Sequence, residues 1–276
     1  MQKILVTTDF SDKSKAGLLF AIQLSSQSKF KITLFHAYHI LMPTGWDASK
    51  MDKYENAEAQ KIQDKLNAFA ALICKEKNLP SSSFECVIKS SMFLQGCIME
   101  YSIENKYDYI CISTRGAGKL QQMMGTNTAN LITHSSIPII AVPYTYKSAM
   151  ITSILYASDL TNLEKELKKI VAFAEPLKSA VELLHFTSPI DPITDAKVLQ
   201  TAVDKLSQYD IKLNIKNTDY VETLIENIAK AVKKVKPSMM VMFTEQNRNL
   251  FEKLFFSSKS AEYSFNTKIP LLVFNK

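Results

Sequence analysis

The chain is written twice. ILVTTDFSD at 4–12 returns as ILYASDLTN at 154–162, each an apolar run ending in Asp with hydroxyl residues beside it. ITLFHAY at 32–38 is answered by VELLHFT at 181–187, YDYICIST at 107–114 by PSMMVMFT at 237–244, and SSIPIIAV at 135–142 by NTKIPLLVF at 266–274. Four matched segments in one order mark a duplicated unit. Each copy must therefore close its own core in about half of the 276 residues, which is an ordinary domain length. The polar stretch YTYKSAM at 144–150 divides the copies, giving domains 1–146 and 147–276.

Between the matched segments the apolar period changes. Ala16, Leu19, Phe20, Ile22 and Leu24 recur at helical spacing, as do Ile62, Leu66, Phe69, Ala70 and Ile73. Each copy reads βαβαβαβαβ. Short, nearly continuous apolar strands joined through helices imply a parallel sheet covered on both faces. The expected fold class is α/β, with two doubly wound parallel five-stranded sheet domains. The second helix is longer in copy one (roughly 50–78) than in copy two (roughly 192–209).

Composition narrows the function. The formal charge is +6, but Arg115 and Arg248 are the only arginines, and the lysines interleave with acids, as in Glu164, Lys165, Glu166, Lys168 and Lys169. That is a solvated helix face and not the clustered basic surface of a nucleic-acid binder. No apolar run reaches the roughly 18 residues that span a bilayer, and Met1-Gln2-Lys3 leads straight into ILVTTD. Cys74, Cys86, Cys97 and Cys111 share no C-x-x-C spacing and read as reduced core thiols. The expected location is the cytoplasm.

In a doubly wound sheet, ligands bind beyond the carboxyl ends of the strands, where strand order reverses. Copy one places Thr7, Thr8 and Asp9 there after its first strand, His36 and Ala37 after its second, and Ser113 to Gly118 after its fourth. The segment STRGAGKLQQMMGTNTAN holds Gly116, Gly118 and Gly125, three of the chain's six glycines. Glycine lets backbone amides approach a phosphate, and Gly125-Thr126-Asn127 opens a helix whose N-terminus favours anions. The same residues also fit an ordinary loop with Thr126 as N-cap, and Asp9 and Asp159 fit helix capping with Ser11 and Thr161.

The order of elements, the Asp of TTDFS, the TRGAG…GTNT segment and the closing SSIPIIAVP resemble the universal stress protein family, over essentially the whole chain twice. The resemblance implies an adenine nucleotide alpha hydrolase-like, Rossmann-like fold and a stress-response binding role without catalysis. It also implies ATP or a related adenine nucleotide in domain 1, with Mg as its companion ion. On that pattern Asp9 contacts the adenosine portion, Ala37 and Ile112 line the adenine pocket, and Gly116, Gly125, Thr126 and Asn127 hold ribose and phosphates, with Thr7, Ser113, Arg115 and Gly118 as further candidates for the same site. Members pair through their last strands, so Ile139 to Val142 and Leu271 to Phe274 are expected to meet as an intrachain pseudo-dimer, with homo-oligomers as a further form.

Two departures stand out. Ser113 replaces the first glycine of the family's loop pattern, and eight residues, in place of nine, separate Gly116 from Gly125. Copy two keeps Asp159, but FTEQNRNLFEKLFFSSKSAEY has no glycine, and Phe255 and Phe256 fall where phosphates would need open backbone. Domain 2 is therefore expected to bind no nucleotide. A second reading is an interaction or scaffold module whose site has decayed in both copies. GAGK at 116–119 lacks the loop length and following hydroxyl of a P-loop. His36 and His185 occupy equivalent strand ends with no nucleophile at a matching repeat position, so their reading is structural.

Overall fold

The computed structural model describes residues 1–41, 45–114, 131–132, 134–160, 162–187, 200–207, 209, 211–217, 224–243 and 269–274. Copy one contributes β1 (Gln2–Thr7), β2 (Phe30–Tyr38), β3 (Phe84–Ser90), β4 (Tyr109–Thr114) and β5 (Ile139–Pro143). Copy two contributes β6 (Ser153–Ala157), β7 (Ala180–Thr187), β8 (Lys212–Asn217), β9 (Met239–Phe243) and β10 (Leu271–Phe274). They form one sheet in the order β3-β2-β1-β4-β5-β10-β9-β6-β7-β8. Within each copy every pairing is parallel.

Burial explains the strand sequences. Ile4, Leu5 and Val6 are all buried in β1, and every residue of β9 and β10 is buried, because helices cover both faces. Alternation then sorts the side chains. Ile4, Val6, Leu34, Cys111 and Ile140 face one layer; Leu5, Phe35, Ile110, Ile139 and Ala141 face the other. The edge strands β3 and β8 are mostly half-buried or exposed. Their weaker apolar signal is why the third strand of each copy leaves no clear match in the repeat.

The first layer receives α1 (Lys15–Gln27), α2 (Ala48–Glu76) and α4 (Leu163–Ala174), through Leu18, Leu66 and Leu167 among others. The second receives α3 (Leu94–Glu104) and α5 (Leu224–Val235), through Ile98 and Ile228. Asp47 caps α2 by accepting from the Lys50 amide at 2.9 Å, and the helix starts at Ala48, two residues before the start expected from the sequence. The corresponding stretch of copy two is helical at 200–206.

The copies join through one antiparallel pairing. β5 and β10 align Ala141 with Leu271, Ile140 with Leu272 and Ile139 with Val273. Both apolar layers run across this seam, the first reaching Val241, Tyr156 and Leu183 and the second reaching Met240 and Met242. Tyr109 meets Phe173 edge-on at 5.4 Å across the copies. All four cysteines are free thiols, and burial pushes each of them up from the ordinary thiol range.

Gln27, at the end of α1, clamps the start of copy two. Its amide donates to Ile151 O (3.0 Å) and Leu177 O (3.4 Å), and its carbonyl accepts from Ile151 N (2.8 Å). Gln27→Leu keeps the bulk but strips Ile151 N–H of this partner. It is expected to lower stability by about 1–3 kcal/mol, the range for leaving a buried polar group unmet, as measured by urea unfolding.

Candidate functional site

Strand order reverses between β1 and β4: the chain runs from β1 outward to β2 and β3, then returns to the other side for β4 and β5. This is the switch point at which doubly wound sheets take ligands. Thr7 ends β1 and is half-buried, Asp9 lies exposed just beyond, and Ala37, Ile112 and Ser113 are half-buried near the ends of β2 and β4. Parallel pairing of Val6 with Cys111 and of Thr7 with Phe35 sets these ends side by side. Arg115, Gly116, Gly118, Gly125, Thr126 and Asn127 lie outside the described residues.

The turn that presents Asp9 is built from hydroxyls. Phe10 sits in the left-handed region at φ 65°, a conformation that costs a bulky side chain roughly 1–3 kcal/mol unless its surroundings hold it. Its N–H donates to Thr8 Oγ1 at 3.0 Å. Ser14 spends its hydroxyl proton on Ser11 O (2.7 Å), so the 2.8 Å bond between Thr8 and Ser14 must be donated by Thr8. Ser11 caps the following turn by accepting from Ser14 N at 3.2 Å, and Asp9 accepts from the Ser11 amide at 3.0 Å and from the Ser11 hydroxyl. The Asp9 carboxylate thus reaches the helix entry through Ser11, while the same turn holds it toward solvent.

Ser113 is fastened to α1. Its hydroxyl accepts from Gly17 N (2.7 Å) and donates to Ser14 O (2.9 Å). A Cβ on Gly17 would stand 3.1 Å from Ser113 Oγ and 3.6 Å from Cys111 Sγ. The absence of a side chain at 17 is what lets the helix come this close to β4. The serine in place of the family's glycine therefore ties strand to helix.

Copy two repeats the turn and fills the space behind it. Leu160 takes φ 69°, and its N–H donates to Ser158 Oγ at 3.0 Å, as Phe10 does to Thr8. By the repeat, Tyr156 replaces Val6, Leu167 replaces Gly17, Phe243 replaces Ser113 and Phe274 replaces Val142. All four of these larger side chains are buried. Phe243 stacks on Phe274 at 4.9 Å and meets Tyr156 edge-on at 5.8 Å. The Tyr156 hydroxyl bridges Ser158 Oγ (2.9 Å) and a carboxylate oxygen of the buried Glu166, which replaces Ala16. Where copy one has Val6, Ala16, Gly17, Ser113 and Val142, copy two has an aromatic plug with its own internal acid.

The paired histidines have the same task. His36 Nδ1–H donates to Thr8 O at 2.7 Å and His185 Nδ1–H to Ser158 O at 3.0 Å, each bracing the turn of the neighbouring strand. Burial lowers the His36 pKa from its ordinary value, opposed by the bond to Thr8 and by Asp9 and reinforced by Lys65. The stability contributed by its neutral ring is complete above about pH 6.5 and is lost as pH falls through the lowered value. Among the described residues, no group of three or more His, Cys, Asp and Glu side chains could hold a metal ion, and no helix is long and apolar enough to cross a membrane.

A doubly wound α/β sheet with this switch-point turn belongs to the Rossmann-like class, and the comparisons narrow it further. Residues 1–143, more than half of the chain, match the profile of the universal stress protein family. The chain belongs to that family. Among solved structures it is similar to a universal stress protein from Archaeoglobus fulgidus, at 13% identity and a TM-score of 0.64, covering 99% of this chain and 98% of that one. A putative universal stress protein from Pseudomonas aeruginosa gives 15% identity and 0.59, over 100% and 93% of the two chains. The cytoplasmic domain of a prokaryotic cation chloride cotransporter gives 8% and 0.53, over 99% and 94%. At these identities the likeness is one of fold. No curated protein sequence matches.

Sequence reading missed the roles of Thr8, Ser158 and Gly17. The signal for the first two was present, since a hydroxyl stands before the repeated Asp in both copies. Thr8→Val keeps the shape and removes the oxygen that holds Phe10 in the left-handed region. Chemical denaturation is expected to show a loss of about 1–3 kcal/mol, whereas Thr8→Ser, the residue of copy two, stays within about 1 kcal/mol of the parent.

Proposed function

We propose that this protein is a non-enzymatic, cytoplasmic stress-response binding protein that takes ATP or a related adenine nucleotide, with Mg, in domain 1. The observation that carries this reading is the contrast at the two switch points. Domain 1 keeps Thr7, Asp9, Ala37, Ile112 and Ser113 there, none of them fully buried, while domain 2 has the buried Phe243 in place of Ser113 and, behind the turn, the bulkier Tyr156, Leu167 and Phe274 in place of Val6, Gly17 and Val142. Domain 2 is then a structural half: it supplies β10 as the partner of β5, an intrachain pseudo-dimer that completes the sheet. The nucleotide would be held by Asp9 on its sugar, by Ala37 and Ile112 on its base, and by Arg115, Gly116, Gly118, Gly125, Thr126 and Asn127 around the phosphates.

One observation favours the second reading, an interaction module without nucleotide. Eight residues, in place of the family's nine, separate Gly116 from Gly125, a shift that moves backbone donors relative to a phosphate. Loss of one or two charge-assisted bonds, at about 1.5–3 kcal/mol each, weakens binding by about tenfold to more than ten-thousandfold.

Equilibrium dialysis with labelled ATP and Mg separates the two. Binding is expected in the parent, with at least about a tenfold loss in Asp9→Ala, abolition in Gly125→Arg, and no change in Asp159→Ala. Absence of saturable binding in the folded parent would leave the interaction module as the function.

A further inference from the structure

We infer that His36 is an acid-sensitive release for the domain 1 site: a second proton on its ring opens the stack that holds the Thr8–Phe10 turn, and Asp9 is no longer presented. This rests on the reading of domain 1 as the ligand-binding half.

The geometry fixes the tautomer. A carbonyl only accepts, so the 2.7 Å contact to Thr8 O requires the proton on Nδ1, and acid must add the second proton at Nε2. The ring lies 4.2 Å from Phe10, the residue at φ 65°. Phe10 is in turn covered by the Lys65 ammonium at 4.7 Å and by the edge of Phe69 at 6.2 Å. His36 therefore helps clamp a strained residue in place, and the strained residue directs the carboxylate before it.

The groups that face the ring determine the outcome of protonation. From α2, Lys65 repels the added charge. From the exit of β1, Asp9 attracts it, and the bond to Thr8 O strengthens. From β2 itself, Tyr38 stacks at 6.3 Å, with Glu55 of α2 acting on Tyr38. Burial is the largest influence and opposes the charged form. A charged imidazole is relieved by hydration and by departure of Lys65 from above Phe10. Either movement removes packing from the left-handed turn.

His185 shows what the same position becomes in a plugged copy. It keeps the bond to its turn, but it is buried and Nε2 has no hydrogen-bond partner. By the repeat, its turn residue is Leu160, which has no aromatic ring. The stack of ring, ring and lysine belongs to domain 1, beside the residues assigned to the ligand.

The test has two arms on the full chain. In the first, without nucleotide, NMR follows the His36 ring and the solvent exchange of the Phe10 and Ser11 amides between pH 7.5 and 5.5, corrected for intrinsic exchange. Protection is expected to fall as His36 titrates. The midpoint should move to higher pH in Lys65→Met, which removes the repulsion, and to lower pH in Asp9→Asn. His36→Asn, whose amide can still donate to Thr8 O, should show no such transition. Unchanged protection across the His36 titration, or the same loss in His36→Asn, would overturn the proposal. In the second arm, labelled ATP is expected to bind about tenfold more weakly for each pH unit below the His36 midpoint, the limit for one linked proton, and His36→Asn should bind with little pH dependence. If no ATP binds at either pH, the nucleotide reading fails, and the first arm alone decides whether the turn is an acid switch. A pH-independent affinity in the parent overturns the release.

Discussion

The antiparallel pairing of β5 with β10 is the contact on which the rest of the molecule depends. Each copy is a parallel five-stranded sheet whose last strand would be an open edge. The pairing closes both edges at once. It also carries an apolar cluster across the seam on each face, so that residues of both copies pack together there. Because the strands on either side run in opposite directions, the two switch points lie at opposite ends of the sheet. Changes at one need not disturb the other. That separation gives a physical setting in which one copy could be filled while its counterpart stayed polar.

Filling copy two required coordinated replacements. Phe243 stands in place of Ser113 and Leu167 in place of Gly17, and both are buried. Tyr156 brings a hydroxyl into the layer, and a buried hydroxyl needs a partner. Glu166 and Ser158 supply one. The turn itself survived: Ser158, Leu160 and His185 hold the geometry of Thr8, Phe10 and His36. The turn is thus part of how the first strand enters its helix in either copy.

The fold was largely legible because its determinants are local and repeated. Strands covered on both faces have to be apolar throughout, so β1, β4, β9 and β10 read directly from composition. The edge strands β3 and β8 did not, since exposure on one side dilutes the pattern that sequence reading relies on. The site was legible only in outline. Asp9, Ala37 and Ser113 could be placed by strand order, but the proton bookkeeping among Thr8, Ser11 and Ser14 depends on distances that no spacing encodes. The role of Gly17 was hidden for a similar reason: the atom it avoids belongs to Ser113, 96 residues away. Arg115, Gly116, Gly118, Gly125, Thr126 and Asn127 remain assignments by resemblance.

The central claim is that the two copies of one fold have parted, with a ligand site kept in the first and plugged in the second. Native mass spectrometry of the intact chain, titrated with ATP and Mg, counts the sites directly. The account predicts saturation at one adenine nucleotide per chain. Two equivalents per chain would contradict the plug in copy two, and a chain that stays at its bare mass would contradict the site in copy one.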